Sequence, residues 1–182
     1  MSATPTRSWV LGVAHDGVVS YLPSALYDLI EQSMPIACVD FVSFRVTDGS
    51  TQVGLIRRRS PFGVVWCHLG GRVLRGETLK QALQRHAHDT LTVELELGLD
   101  PQPAYVYQWF PPALSPTMGA PFGEDPRKHA IGLSYVVEMR GEPAPRNEAI
   151  DFAWFAVDDL PADIWPGSQH LVHRLLARYH AT

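Results

Sequence analysis

Residues 70–93 constrain this chain more than any other stretch. A glycine pair, Gly70-Gly71, follows a short apolar run at 64–69. Glu77 stands six positions after Gly71, and Arg85 eight positions after Glu77. Between them, Thr78 and Gln81 have the spacing of a capping box and predict a helix start near Thr78. Leu79, Leu83 and Ala87 then recur at helical spacing and form an apolar stripe that must pack on a sheet. Arg85 and Asp89 are one turn apart on a flank of that stripe, with His86 between them and its apolar centre. The segment therefore reads as a strand–loop–helix unit carrying charged groups along its loop and one helix flank.

The rest of the chain supplies the sheet. Residues 18–22 predict a short strand, and 23–34 a helix that Pro23 and Ser24 start and Pro35 ends. The β-branched run 36–46 predicts a strand, Asp48-Gly49 a hairpin turn, and 52–57 the returning strand. Further strands are expected at 64–69, 105–110, 131–139 and 152–157, and an amphipathic helix at 169–179. Between 110 and 131 lies a Pro- and Gly-rich segment of a length that usually serves function or mobility. Strands and helices are mixed rather than alternating. We expect an α+β fold, an α/β/α sandwich with a mixed sheet, in preference to a doubly wound one. Residues 1–34 read as an N-terminal extension with a helix, and 35–182 as the main domain.

Composition narrows the partners. The 182 residues carry a formal net charge of −4, which argues against a nucleic-acid binder held by a basic surface. No apolar run approaches the ~20 residues of a membrane span. The N-terminus lacks the pattern of a signal peptide. Cys38 and Cys67 both lie in strand-like segments and are expected to be reduced core thiols, which suits the cytoplasm.

The spacing from Gly71 through Glu77 and Arg85 resembles the Nudix box, G-x5-E-x7-R-E-U-x-E-E-x-G-U. Four positions depart from it: His86, Asp89 and Thr90 stand where the pattern has glutamates, and Thr92 where it has glycine. The box is thus degenerate in its second half. The resemblance implies a Nudix-type sandwich and a metal–diphosphate site. It implies Gly71 as a carbonyl ligand, Glu77 and Arg85 as a pair bracing loop on helix, and Asp89 as the one remaining helix carboxylate. The cation would be Mg²⁺ or Mn²⁺, since hard oxygen ligands suit both. His86 would favour the softer Mn²⁺, Zn²⁺ or Ni²⁺ over Mg²⁺.

Several motifs are similar to those of GDP-mannose mannosyl hydrolase, a distant branch of that family. They are Asp40 in the strand after Pro35, Trp66 before Gly70-Gly71-Arg72-Val73, and His129 entering the strand after the long segment. That branch places a Gln-His pair where this chain has Glu148-Ala149. By resemblance Glu148 becomes a metal ligand, and His129 or Glu148 a group that could deprotonate water. Asp40, Arg57 and Arg72 are the candidate substrate contacts, with Arg58 and Arg59 as alternatives to Arg57 as a phosphate clamp. Tyr107, Trp109 and Phe122 could stack a nucleobase or belong to the core.

Taken without the resemblance, the same residues have plainer readings. Glu77–Arg85 becomes a surface ion pair worth ~0–1 kcal/mol. Asp89 becomes a solvated helix residue, His86 a packed histidine, Arg57–Arg59 a solvated charge run, and Asp40 a partner for a nearby arginine. Two functional readings follow. One is a metal-dependent hydrolase of a nucleoside diphosphate linked to another moiety, such as a nucleotide-sugar. The other is a nucleotide or nucleotide-sugar binding protein, or sensor, without turnover. A homodimer is expected from the resemblance.

Overall fold

A computed structural model describes residues 10–13 and 19–180, with side chains from residue 22 onward. In chain order the elements are β1 (Val10–Val13), β2 (Val19–Leu22), α1 (Ser24–Ser33), β3 (Ile36–Val42), β4 (Phe44–Thr47) and β5 (Ser50–Ser60). Then come β6 (Gly63–Cys67), β7 (Leu69–Arg72), α2 (Leu79–Leu91), β8 (Glu94–Glu96) and β9 (Tyr105–Phe110). β10 (Gly123–Glu124), β11 (Ala130–Val136), β12 (Glu138–Arg140), β13 (Ala149–Ala156) and α3 (Ser168–Tyr179) complete the chain.

Two sheets carry the fold. One runs β10-β9-β11-β3-β7, and the other β13-β5-β4 with β6 also paired to β5. The first is mixed: β11 and β3 are parallel, while β3 and β7, and β11 and β9, are antiparallel. β1 pairs with β2, and β8 with β12. Helix α2 packs against β7, β8 and β3, and α3 against β11 and β9. The architecture is the expected α+β one. Residue 18, the first of the predicted strand 18–22, lies outside the described residues.

The apolar stripes account for the core. Val39, Phe41 and Val42 of β3, Val53, Leu55 and Ile56 of β5, Leu83, Ala87 and Leu91 of α2, and Leu171 and Leu175 of α3 are all fully buried. Cys38 and Cys67 are free and buried, and burial pushes both thiols up to about 12, leaving them protonated and unreactive. Among the described residues no helix is long and apolar enough to cross a membrane.

Three predicted strands are divided. The run 36–46 breaks at Ser43, where the chain passes from β3 in one sheet to β4 in the other. The run 64–69 breaks at His68 in the same way, between β6 and β7. The predicted strand 131–139 also separates, into β11 and the edge strand β12. The expected turn is present: Asp48 and Gly49, at φ 52° and 76°, join Thr47 to its partner Ser50.

Candidate functional site

The site begins where β7 hands over to α2. Thr78 caps the helix: its hydroxyl accepts from the Gln81 amide, and the Gln81 side chain accepts from the Thr78 amide. The turn before it is closed by Glu77. One carboxylate oxygen accepts from the Leu74 amide at 2.8 Å and from Arg85 Nη2 at 2.9 Å. The other accepts from Arg85 Nε, which makes the pair bidentate. Arg85 Nη2 also donates to the Arg72 carbonyl at 3.1 Å. Burial would raise the Glu77 pKa, but the Arg85 and Leu74 hydrogen bonds outweigh it and hold the carboxyl below its usual range. One arginine thus fastens loop and helix to the end of β7.

His86 fills the space beside Gly71. Its Nε2 lies 3.1 Å from the Arg72 carbonyl, so that nitrogen carries the proton and donates. A Cβ on Gly71 would stand 2.5 Å from the ring, so only glycine admits this contact. Burial and the adjacent Arg85 lower the His86 pKa and keep the ring neutral. Gly71 itself belongs to the β3–β7 ladder. Val73 donates to Ala37 at 3.0 Å, and antiparallel alternation then makes Gly71 and Val39 the next hydrogen-bonded pair. Its carbonyl is therefore engaged by the sheet.

The segment before β13 caps the C-terminal end of α2. Ala144 donates to the Leu91 carbonyl, Arg146 to Thr90, and the Asn147 side chain to Asp89. Those bonds satisfy carbonyls that a helix end would otherwise leave open. They also bring Glu148 into the electrostatic surroundings of His86. The Glu148 carboxylate is held by Arg58 at 2.7 Å. Asp89 turns its side chain outward, half exposed, with His88 Nδ1 at 3.3 Å. Thr90 is buried.

These placements bear on a divalent cation. Among the described residues no three His, Cys, Asp or Glu side chains stand together so as to hold one. Glu148 faces a guanidinium, Asp89 faces solvent, and the Nε2 proton of His86 points at a carbonyl. As arranged, they do not fit a cage of hard oxygen ligands. No chemical step below passes through a metal.

The remaining candidates separate into two groups. Of the arginines, Arg58 stands at Glu148, Arg57 leaves the other face of β5, and Arg72 lies at the end of β7. Arg57 reaches Asp163 at 3.4 Å and lies over the Trp66 ring, and Arg58 lies over Trp165. The Nε atoms of both Arg57 and Arg58 are buried with no hydrogen-bond partner among the described residues. Asp40, by contrast, is inside the protein. It accepts from Trp109 Nε1 at 3.2 Å and faces His68 Nε2 at 3.4 Å, while His68 Nδ1 meets the buried Ser168 hydroxyl at 3.2 Å. Its partners are an indole and an imidazole, and no arginine is among these contacts. Close packing fixes that position: a Cβ at Gly70, where φ is 148°, would strike Val39 and Asp40.

His129 stacks on Phe110, with its Nε2 at 3.3 Å from the Gln108 side chain. Tyr107 and Trp109 are core residues, at 1% and 5% exposure. Four site residues escaped the sequence reading: Tyr27, Glu31, Arg127 and Lys128. Arg72 lies over the Tyr27 ring at 4.6 Å, Lys128 Nζ is 3.5 Å from Glu31, and Arg127 is clamped on the buried Asp125. Burial would raise the Asp125 pKa, yet Arg127 holds it below the usual carboxylate range. The signal available in sequence was the long Pro- and Gly-rich segment that carries Asp125, Arg127 and Lys128.

With this geometry in view, known proteins can be compared. The family described as a domain of unknown function, DUF4916, matches residues 18–180. None of the curated proteins matches the chain. The crystal structure of a possible asymmetric diadenosine tetraphosphate hydrolase from Jonesia denitrificans is 30% identical, covers 81% of this chain and 96% of its own, and superposes with a TM-score of 0.68. A MutT Nudix hydrolase from Burkholderia pseudomallei is 22% identical over 79% of this chain and 99% of its own, with a TM-score of 0.60. The Nudix domain of NrtR from Shewanella oneidensis, solved with ADP-ribose, is 19% identical over 82% and 90%, with a TM-score of 0.52. The last two show likeness of fold alone. The chain therefore belongs to the DUF4916 family, and its fold is that of the Nudix hydrolases.

Proposed function

We propose that the protein takes up a nucleoside diphosphate linked to a further moiety and hydrolyses it, with the diphosphate lying between Arg72 and the β5 arginines. The single observation that carries this reading is the intact brace, Glu77 to Arg85 to the Arg72 carbonyl, which fixes Arg72 beside the site. The Arg58 guanidinium, 2.7 Å from Glu148, supports it as a second cation of the pocket. Membership of a family with the Nudix hydrolase fold favours cleavage of such a compound. The resemblance to the GDP-mannose branch makes a nucleotide-sugar the first substrate class to try. Mg²⁺ or Mn²⁺ enters this proposal as a dependence to be measured, since an ion would bind here only if Glu148 left Arg58. The cytoplasm as its compartment and a homodimer as its form belong to it too, and light scattering checks the latter.

Binding without turnover is the second reading. Thr90 and His86 in place of carboxylates favour it, as does the Arg58 clamp on Glu148. A panel of GDP-mannose, other nucleotide-sugars, ADP-ribose and dinucleoside polyphosphates, run with Mg²⁺ and Mn²⁺ in parallel, separates the two. Product release that disappears in Arg85→Ala and Glu148→Ala supports hydrolysis. Saturable binding with no product under either ion supports the sensor. No product and no binding across the panel overturns both.

A further inference from the structure

Three separate chain segments reach the same end of the first sheet. β3 and β11 are parallel neighbours, so what precedes each strand arrives at one edge. Helix α1 precedes β3, and Asp125–Lys128 precedes β11; the Ile36 amide bonds to the His129 carbonyl where they meet. β7 runs antiparallel to β3 and ends there, with Arg72 opposite Cys38. The topology thus gathers Arg72, Arg127 and Lys128 at one sheet end, and lays α1 across them.

What α1 presents to these cations is a carboxylate. Glu31 lies 3.5 Å from Lys128 Nζ, in a pair whose side chains are only 14% and 17% exposed. Tyr27, one turn earlier, hydrogen-bonds Glu31 and Arg72 and lies under the Arg72 guanidinium. Glu31 also acts electrostatically on Arg127. Among the described residues the apolar hold on the helix is slight: none of its residues is fully buried, Ile30 packs on the core, and Leu26 and Leu29 stand exposed. Its polar anchors are residues of the candidate site.

We infer that Arg72 and Lys128 form a phosphate subsite which Glu31 occupies in the free protein, so that ligand enters as α1 gives way. This deepens the function proposed above and rests on it for the identity of the ligand. A carboxylate and a phosphate oxygen offer the same cations the same kind of acceptor. Lys128 then becomes a binding residue, and Glu31 a competitor carried by the chain. Apparent affinity falls by the fraction of molecules in which the subsite is closed. A helix closed in about nine molecules of ten implies roughly a tenfold gain when the carboxylate is removed.

Calorimetry with inorganic pyrophosphate and with ADP-ribose tests this on wild type, Glu31→Gln, Glu31→Ala and Lys128→Ala. Both Glu31 variants are expected to bind about tenfold tighter, and Lys128→Ala weaker than wild type. Chymotryptic cleavage at Tyr27 in the wild-type protein should rise on adding pyrophosphate, since the ligand releases the helix. Melting curves confirm that each variant is folded. Wild-type binding that is unchanged or weakened in both Glu31 variants overturns the subsite and leaves the proposed function standing. Tighter binding in those variants with no turnover of any panel compound upholds the subsite and removes hydrolysis. No binding of either probe by any variant removes both.

Discussion

Glu77 accepts three hydrogen bonds, and two come from Arg85. Arg85→Ala leaves a half-buried carboxylate with one amide. We expect a loss of about 1–3 kcal/mol, read from denaturant unfolding, together with loss of ligand binding. The pH dependence follows in sign. Glu77 has a folded pKa below its ordinary 4.5, so its contribution is complete above the unfolded value and is lost as pH falls through the folded one. Arg85→Ala should therefore raise the midpoint of acid unfolding. His86 is a base with a lowered pKa, so the native state prefers the neutral ring. Its contribution is present above pH 6.5 and fades as the solution is acidified below that. Imidazole NMR should find its titration below 6.5, and a ring that protonates above that value contradicts the packing described. Glu77, Arg85 and Gly71 were legible in sequence because their partners lie within one loop and one helix. Tyr27, Glu31 and Lys128 were not, because the strand pairing that joins them spans roughly a hundred residues and leaves no local spacing.

At the scale of elements, α2 is secured at both ends by named groups. Thr78→Ala removes the capping box and should lower stability by about 1 kcal/mol, measured by urea unfolding. Its far end depends on Ala144, Arg146 and Asn147, none of which sequence periodicity could tie to the helix. The capping box itself was readable, since it needs only two residues at a fixed interval. The strand breaks at Ser43 and His68 were hidden. One residue within an apolar run carries no signal that the chain changes sheets there. β8 was missed for the opposite reason: its charged residues, Glu94 and Glu96, carry no strand signal, although it pairs with β12, whose first two residues fall inside the predicted strand 131–139.

For the whole molecule, the expected consequence is a link between ligand and stability. A compound that binds only the folded chain at about 100 times its Kd adds roughly 2.7 kcal/mol. In a chain of this size each kcal/mol moves Tm by about 2–4 °C. A nucleotide-sugar or ADP-ribose should therefore raise Tm by several degrees, and calorimetric scans over a concentration series check it. Legibility at this scale was uneven. The α+β class followed from the mixture of strand and helix signals, whereas the meeting of α1, β7 and the segment before β11 at one sheet end is a property of topology.

Burial of Thr90 limits what its position accepts. Glutamate introduced there would carry a negative charge into the interior, at a cost on the order of several kcal/mol wherever no cation accompanies it. An acid at this position therefore needs a second change that supplies a cation beside it.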